Sequence, residues 1–134
     1  MRLSKALAVV SLALILASSF AQVASAVAFE NTDDWTVVGT PTIQSVGFAQ
    51  AAMVTFDNHL DISVLGVVIL VLHNNVGQTV YYSAATVNIT RGLYGTAYPV
   101  VAGVAPGHYN ATIFAESTGG AAISNATYFE FAAA

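Results

Sequence analysis

The hydrophobic pattern after residue 30 follows the two-residue period of β-strands. No useful window shows the 3.6-residue period of an amphipathic helix, and Val, Ile, Thr, Tyr and Phe dominate between turn residues. Pairs such as Asn74-Asn75 and Pro106-Gly107 separate these runs. The pattern predicts strands at residues 35–38, 42–46, 50–57, 63–72, 79–89, 95–102, 108–116 and 121–131.

Seven or eight short antiparallel strands in a region of this length are typical of an immunoglobulin-like sandwich. The predicted fold class is therefore all-β, an immunoglobulin-like antiparallel β-sandwich after an N-terminal hydrophobic segment that is helical if retained. Tyr109 begins a strand after Pro106-Gly107. This resembles the tyrosine corner of sandwich folds, whose hydroxyl bonds to upstream backbone. From Tyr109 to Ala115 the odd-numbered residues share one predicted inner face.

One strand has no polar face. Residues 64–73, VLGVVILVLH, contain nine apolar or glycine residues in succession before His73. Side chains of a strand alternate between two sides, and the chain offers no predicted helix to cover the outer side. We expect the odd-numbered set to be a subunit interface, namely Leu65, Val67, Ile69 and Val71. Two alternatives remain open: the two sets exchange roles, or one chain covers both faces.

The N-terminus has the layout of a secretory signal peptide. A basic MRLSK precedes the apolar ALAVVSLALILA, and Ala24-Ser25-Ala26 predicts cleavage after Ala26. The predicted domains are a signal peptide at 1–26 and the sandwich at 27–134. Lys5-Ala6-Leu7 also resembles an archaeal prepilin cleavage site, which would leave a helix to about residue 29; a plain membrane anchor is the third option. All three predict an extracellular or cell-surface domain, with membrane contact only through this segment before processing.

Composition excludes a nucleic acid partner and any site built from cysteine. The chain is 56% hydrophobic and 7% charged, its net charge is −4, and Arg91 is the only cationic residue beyond Lys5, His aside. Nucleic acid binding requires clustered Lys and Arg, so no nucleic acid partner is predicted. The absence of cysteine rules out disulfides and thiolate metal sites.

The sequence contains few residue patterns that indicate catalysis or metal binding. His59, His73 and His108 each flank a turn, and none has a partner at a metal-binding spacing. The acidic stretches 30–34 and 57–61 could lend oxygen ligands to calcium, but neither has the spacing of a calcium loop. No nucleophile elbow or phosphate loop is present. We predict no catalytic residue, metal or cofactor, and a protein that is not an enzyme.

Three N-glycosylation sequons occur within 40 residues, at Asn88, Asn110 and Asn125. Alternation places Asn88 and Asn110 opposite apolar neighbours, as expected of surface residues. Asn125 has the parity of Phe129 and Phe131, which we expect inside, so a bulge near Ala126 or a later strand start is needed. We predict N-linked glycans at all three sites.

Two stretches carry a family resemblance. VVILVLHNNVGQTVYYSAATVNI and VAPGHYNATIFAESTGGAAIS resemble the C-terminal sandwich of crenarchaeal surface-filament subunits, the type IV pilins and, more loosely, the secreted thread or bundling-pilus subunits. The resemblance spans about residues 60 to 131 and includes no catalytic signature. It implies a glycosylated structural subunit that polymerises with itself. The A-x-A ending departs from the pilin pattern, and the short chain departs from the thread pattern.

The filament families that the sequence resembles assemble by two routes. Pilins assemble through an N-terminal helix bundle, whereas thread subunits donate an N-terminal strand to the next sandwich. Trp35 and Val37 share a face and could anchor such a donor strand. The alternative is that 33–46 is simply the first strand of its own sandwich. A competing function is a secreted or anchored immunoglobulin-like domain that binds a ligand, a sugar or a surface-layer component.

Overall fold

Residues 32–134, which the computed structural model describes, form nine β-strands and no helix. The predicted signal peptide, its cleavage site and the alternative helix to residue 29 lie outside the described residues. In chain order the strands are β1 (Trp35–Val37), β2 (Thr42–Val46), β3 (Ala49–Asn58), β4 (Val64–His73), β5 (Thr79–Ile89), β6 (Tyr94–Ala97), β7 (Val100–Val101), β8 (Gly107–Ser117) and β9 (Thr127–Ala133).

The strands form two antiparallel sheets with the core between them. One sheet has the order β9–β8–β4–β5, and the other is built around β3. Buried side chains from both sheets meet in one cluster that includes Phe56 of β3, Leu70 of β4 and Ile113 of β8. This arrangement confirms the predicted all-β sandwich.

Each edge of the β3 sheet is one strand interrupted by a break. On one edge, β1 pairs with the end of β3 and β2 with its beginning, and residues 38–41 separate them. Gly39 in this break has a φ of 74°, which favours glycine. On the other edge, Pro99 separates β6 from β7 because proline lacks the N–H that a continuous ladder needs. The prediction of a continuous strand at 95–102 was therefore wrong.

The last strand begins later than the predicted residue 121. The chain turns after β8, where Ser117 accepts a bond from Gly120 N–H, and Gly120 has a φ of 89°. Only isolated bridges involve Ala122 and Ser124 before β9 starts at Thr127. Asn125 therefore lies in a loop, which removes its conflict of parity with Phe129 and Phe131.

The inner faces follow the predicted alternation. The even-numbered residues Val68, Leu70 and Leu72 of β4 are 0% exposed. The odd-numbered core residues of β8 are also fully or almost fully buried. Phe131 of β9 is also fully buried. The Tyr109 hydroxyl donates a hydrogen bond to the Ala105 carbonyl oxygen at 2.7 Å, which confirms the tyrosine corner.

Candidate interaction surface

The side of the four-stranded sheet that points away from the core is called the outer face below. On β4 it carries the predicted interface set: Leu65 is 47% exposed, and Val67, Ile69 and Val71 are half-buried. The even-numbered residues point into the core, so the expected parity of the two sets is observed. The structure contains one chain, and the role of this set as an interface stays a prediction.

Strand register identifies the neighbours of this apolar row. Thr86, Ala84 and Tyr82 of β5 flank it on one side, and Glu116, Phe114 and Thr112 of β8 flank it on the other. Rows of the outer face therefore read Leu65 with Asn88; Val67 with Thr86 and Glu116; Ile69 with Ala84 and Phe114; Val71 with Tyr82 and Thr112; and His73 with Asn110. The middle row is entirely apolar.

Glu116 is the acidic member of this apolar surface. Burial raises the pKa of its carboxyl to about 7, because removal from water disfavours the charged form. Its cross-strand neighbour is Val67, and its bridge partner is Ala122. Neither of them carries a charge that would stabilise the carboxylate.

The three histidines lie apart from one another and hold different partners. Burial lowers the pKa of His73, whose ring nitrogens lie 3.3 Å from Thr79 Oγ1 and 3.4 Å from Thr112 Oγ1. His108 pairs with Glu130 at 2.9 Å on the exposed end of the outer face. Among residues 32–134, no three His, Cys, Asp or Glu side chains come close enough to hold a metal ion.

The acidic stretch 57–61 forms one end of the sandwich. Asp57 Oδ2 lies 3.7 Å from His59 Nε2, which is also 2.8 Å from Thr36 Oγ1. Asn58 is fully buried and joins two loops, since its Nδ2 donates to the Ile62 and Ile89 carbonyl oxygens. The other suggested stretch begins at Glu30, outside the described residues. Calcium binding at either stretch stays untested.

The suggested donor-strand residues lie within their own sandwich. Trp35 is 0% exposed, and its ring centroid is 5.5 Å from that of Phe56. Val37 is half-buried and packs against the same core. β1 pairs with β3, and Trp35 N–H also donates to the Ile123 carbonyl oxygen at 2.7 Å. In this chain β1 is thus the first strand of its own fold, and exchange with a second copy stays a prediction.

The three sequon asparagines are exposed, and two of them share the outer face. Asn88 lies opposite Leu65, and Asn110 lies opposite His73 at the other end of β4. Asn125 is in the loop before β9, where its Oδ1 accepts a bond from Thr32 N–H at 2.9 Å. Glycosylation stays a prediction at each site.

The sequence predicted the strands but not which residues are neighbours across paired strands. The nearness of Asn88 to Leu65, and of Glu116 to Val67, follows from strand order and register. The pairing of β4 with β8 joins strands that are far apart along the chain, so no local signal encodes it, whereas β4 and β5 are consecutive strands joined by residues 74–78. The alternation within 107–117 identifies Glu116 as outward-facing but not the apolar row beside it.

Comparison with known proteins shows a similarity of fold. No family model and no curated protein matches the chain. A β-glucuronidase from glycoside hydrolase family 2 has a similar structure, with a TM-score of 0.55 and 10% sequence identity. The match covers 76% of this chain and only 13% of that enzyme. No helix within residues 32–134 meets the length and hydropathy needed to cross a membrane. At this identity the likeness shows the sandwich fold alone.

Proposed function

We propose that the protein is a structural subunit of an extracellular archaeal pilus or thread filament, which polymerises with itself. The observation that carries the proposal is the apolar outer face of the four-stranded sheet. A sandwich normally exposes polar residues there, yet Val67, Ile69 and Val71 follow one another along its central strand. An apolar surface of this kind is typical of a protein interface.

The energetics favour association in spite of the partial burial of this row. Full burial of an apolar side chain contributes about 1.5–3 kcal/mol. Leu65 is 47% exposed and the other three outward residues of β4 are about a third exposed at most, so a partner would recover roughly 1–4 kcal/mol from the four together. With a net charge of −4 over 134 residues, electrostatic repulsion between copies is weak.

Both assembly routes remain compatible with this proposal. Strand donation would place Trp35 of one copy in the closely fitted slot that Trp35 fills within its own chain here. A pilin-type route would instead use the N-terminal segment as a helix. The first residue of the mature protein separates the routes: Val27 corresponds to a secreted subunit, Leu7 to a pilin and Met1 to an anchored domain.

A binding domain is the second candidate, and its support is the exposure of aromatic side chains. Phe48, Tyr94 and Tyr128 are each more than half exposed. Exposed aromatic residues are common where proteins contact sugars and other proteins. These three lie on different strands or turns, which gives the binding proposal a weaker geometric basis than the continuous outer face.

Negative-stain imaging of the exported full-length chain tests the filament proposal. Wild-type protein should form filaments, and Ile69→Lys should prevent them by placing an unpaired charge in the interface. Ser45→Lys is the matched control, because Ser45 is exposed on the other sheet. A monodisperse wild-type monomer, or filaments of Ile69→Lys that equal those of wild type, would contradict the proposal.

A further inference from the structure

β5 is a long sheet edge that is irregular only near its start. It runs for 11 residues, pairs with β4 on one side and ends the order of its sheet, and its register with β4 shifts at Val80. Within residues 32–134, no backbone group pairs with its other side. Its sequence, TVYYSAATVNI, contains no charged residue, proline or glycine. Natural sheet edges usually carry one of these features, which discourage pairing with another chain.

The other sheet edges are protected. At β9, the Gln50 side chain donates to the Ala132 carbonyl oxygen at 3.1 Å and accepts from Ala134 N–H at 2.9 Å. β9 also carries the charged Glu130. Both edges of the β3 sheet are interrupted, one between β1 and β2 and the other at Pro99. β5 is therefore the long edge among the described strands, and it is regular from Tyr81 to Ile89.

We propose that β5 is a second self-association site, at which it pairs antiparallel with β5 of another copy around a two-fold axis near Ala84. A two-fold axis perpendicular to the sheet makes any edge strand antiparallel to its own copy. With the axis at the strand centre, Tyr82 faces Thr86 of the second copy, and the regular part of the pairing runs from Tyr81 to Val87. No pair brings two like charges together.

The chemistry of the edge suits a second copy. An antiparallel pair over these seven residues forms roughly seven main-chain hydrogen bonds, which is within the range of a typical complete protein interface. On the outer face, Val80 and Tyr82 are 47% and 61% exposed, and the pairing would cover both. Exposed apolar side chains next to free backbone groups favour a strand as the occupant.

This inference rests on the proposed filament function and deepens it. Two copies joined at β5 would form one eight-stranded sheet, because each contributes its four strands. Their outer faces would lie on the same side, since a perpendicular two-fold axis keeps the same face upward. The apolar surface available for the next contact would then be twice as wide.

The test uses the exported full-length chain carrying Ile69→Lys, which disables the outer face. Light scattering after size exclusion should give twice the molar mass of one chain. Addition of Ala84→Lys should halve that mass, because the two lysines would meet at the axis. Ala132→Lys is the matched control, exposed on β9 at the opposite edge, and should leave the dimer intact. A monomeric Ile69→Lys variant overturns the inference.

Cysteine cross-linking gives a second measurement, because the chain has no cysteine of its own. Mild oxidation should link Ala84→Cys into disulfide dimers and leave Ala132→Cys unlinked. Links at position 132 alone would overturn the inference. So would β5 amides that resist hydrogen exchange in a monomer, because the edge would then be covered without a second copy. Wild-type filaments with a monomeric Ile69→Lys variant would retain the filament proposal, whereas dimers without wild-type filaments would retain only the edge pairing.

Discussion

Gly66 of β4 lies directly beneath the indole ring of Trp35. A Cβ atom at residue 66 would come within 2.6 Å of Trp35 Cζ3, a separation that real side chains essentially never show. Trp35 is fully buried and cannot move outward without leaving the core. The absence of a side chain at residue 66 therefore makes room for the largest aromatic residue of the core.

We expect Gly66→Ala to destabilise the protein by about 1–3 kcal/mol, the usual cost of overpacking a core. The methyl group would displace the Trp35 ring from its position in the core. Urea denaturation followed by tryptophan fluorescence measures this loss directly, because Trp35 is the single tryptophan. Gly119→Ala is the control, since its nearest neighbour would be 3.8 Å away, and its stability should change by less than about 0.5 kcal/mol. Equal stability of the two variants would contradict the close packing of Trp35 against Gly66.

The two sides of β4 should respond differently to a charge. Leu70→Lys buries an ammonium group among apolar side chains, so we expect a loss of several kcal/mol or failure to fold. Ile69→Lys places the same group on the half-buried outer face, where the lysine stem can extend to water, and the domain should still melt cooperatively. Thermal melts of both variants provide the comparison. Equal unfolding would mean that one chain buries both sides of the strand.

Glu116 should make stability depend on pH. Its carboxyl pKa is about 7 in the folded protein, against an ordinary value of 4.5. A raised folded pKa means that the contribution to stability is complete below about pH 4.5 and is lost as the pH rises through 7. Glu116→Gln should therefore stabilise the protein by about 1–3 kcal/mol at pH 8 and have little effect at pH 4.

Urea denaturation at pH 4, 6 and 8 checks this difference. Glu130→Gln serves as the control, because Glu130 is exposed and its pairing with His108 lies at the surface. Its effect should remain within about 0.5 kcal/mol. A Glu116→Gln variant whose advantage is the same at pH 4 and pH 8 would show that the carboxyl is not buried against its apolar neighbours.

Glycosylation should oppose contact at the outer face. Asn88 is the cross-strand neighbour of Leu65, so a glycan there would stand beside the apolar row. Intact mass of the native protein should exceed that of the polypeptide, and Asn88→Gln should remove one glycan and increase self-association. Asn125→Gln is the control, because Asn125 lies in a loop before β9 and its glycan should not affect this contact. A native mass equal to that of the bare chain would end the proposal.

The sequence predicted individual strands well because alternation is a local property. The 79–89 strand matches residue for residue, and the two sides of 64–73 fall as expected. Its errors have two causes. The break at Pro99 follows from the missing N–H of proline, a local feature that alternation alone does not report. The late start at Thr127 depends on distant groups, as the bond from Trp35 N–H to the Ile123 carbonyl illustrates.

The candidate surface was predictable in part for the same reason. Val67 and Ile69 could be identified from their own strand, whereas Glu116 became their neighbour only through the pairing of β4 with β8. The free edge of β5 could not be predicted from the sequence either. Edge position is a property of the strand order of the whole sheet, and strands of either kind can have the same local sequence.

β1 is attached both to β3 and to the segment between β8 and β9, which affects how the domain would carry a pulling force. Tension applied at Trp35 would act on β3 through strand pairing and on Ile123 through the Trp35 N–H. At the opposite end of the described residues, β9 is held by its pairing with β8, and the Gln50 side chain links Ala134 to β3. A load between Trp35 and Ala134 would therefore be shared between both sheets.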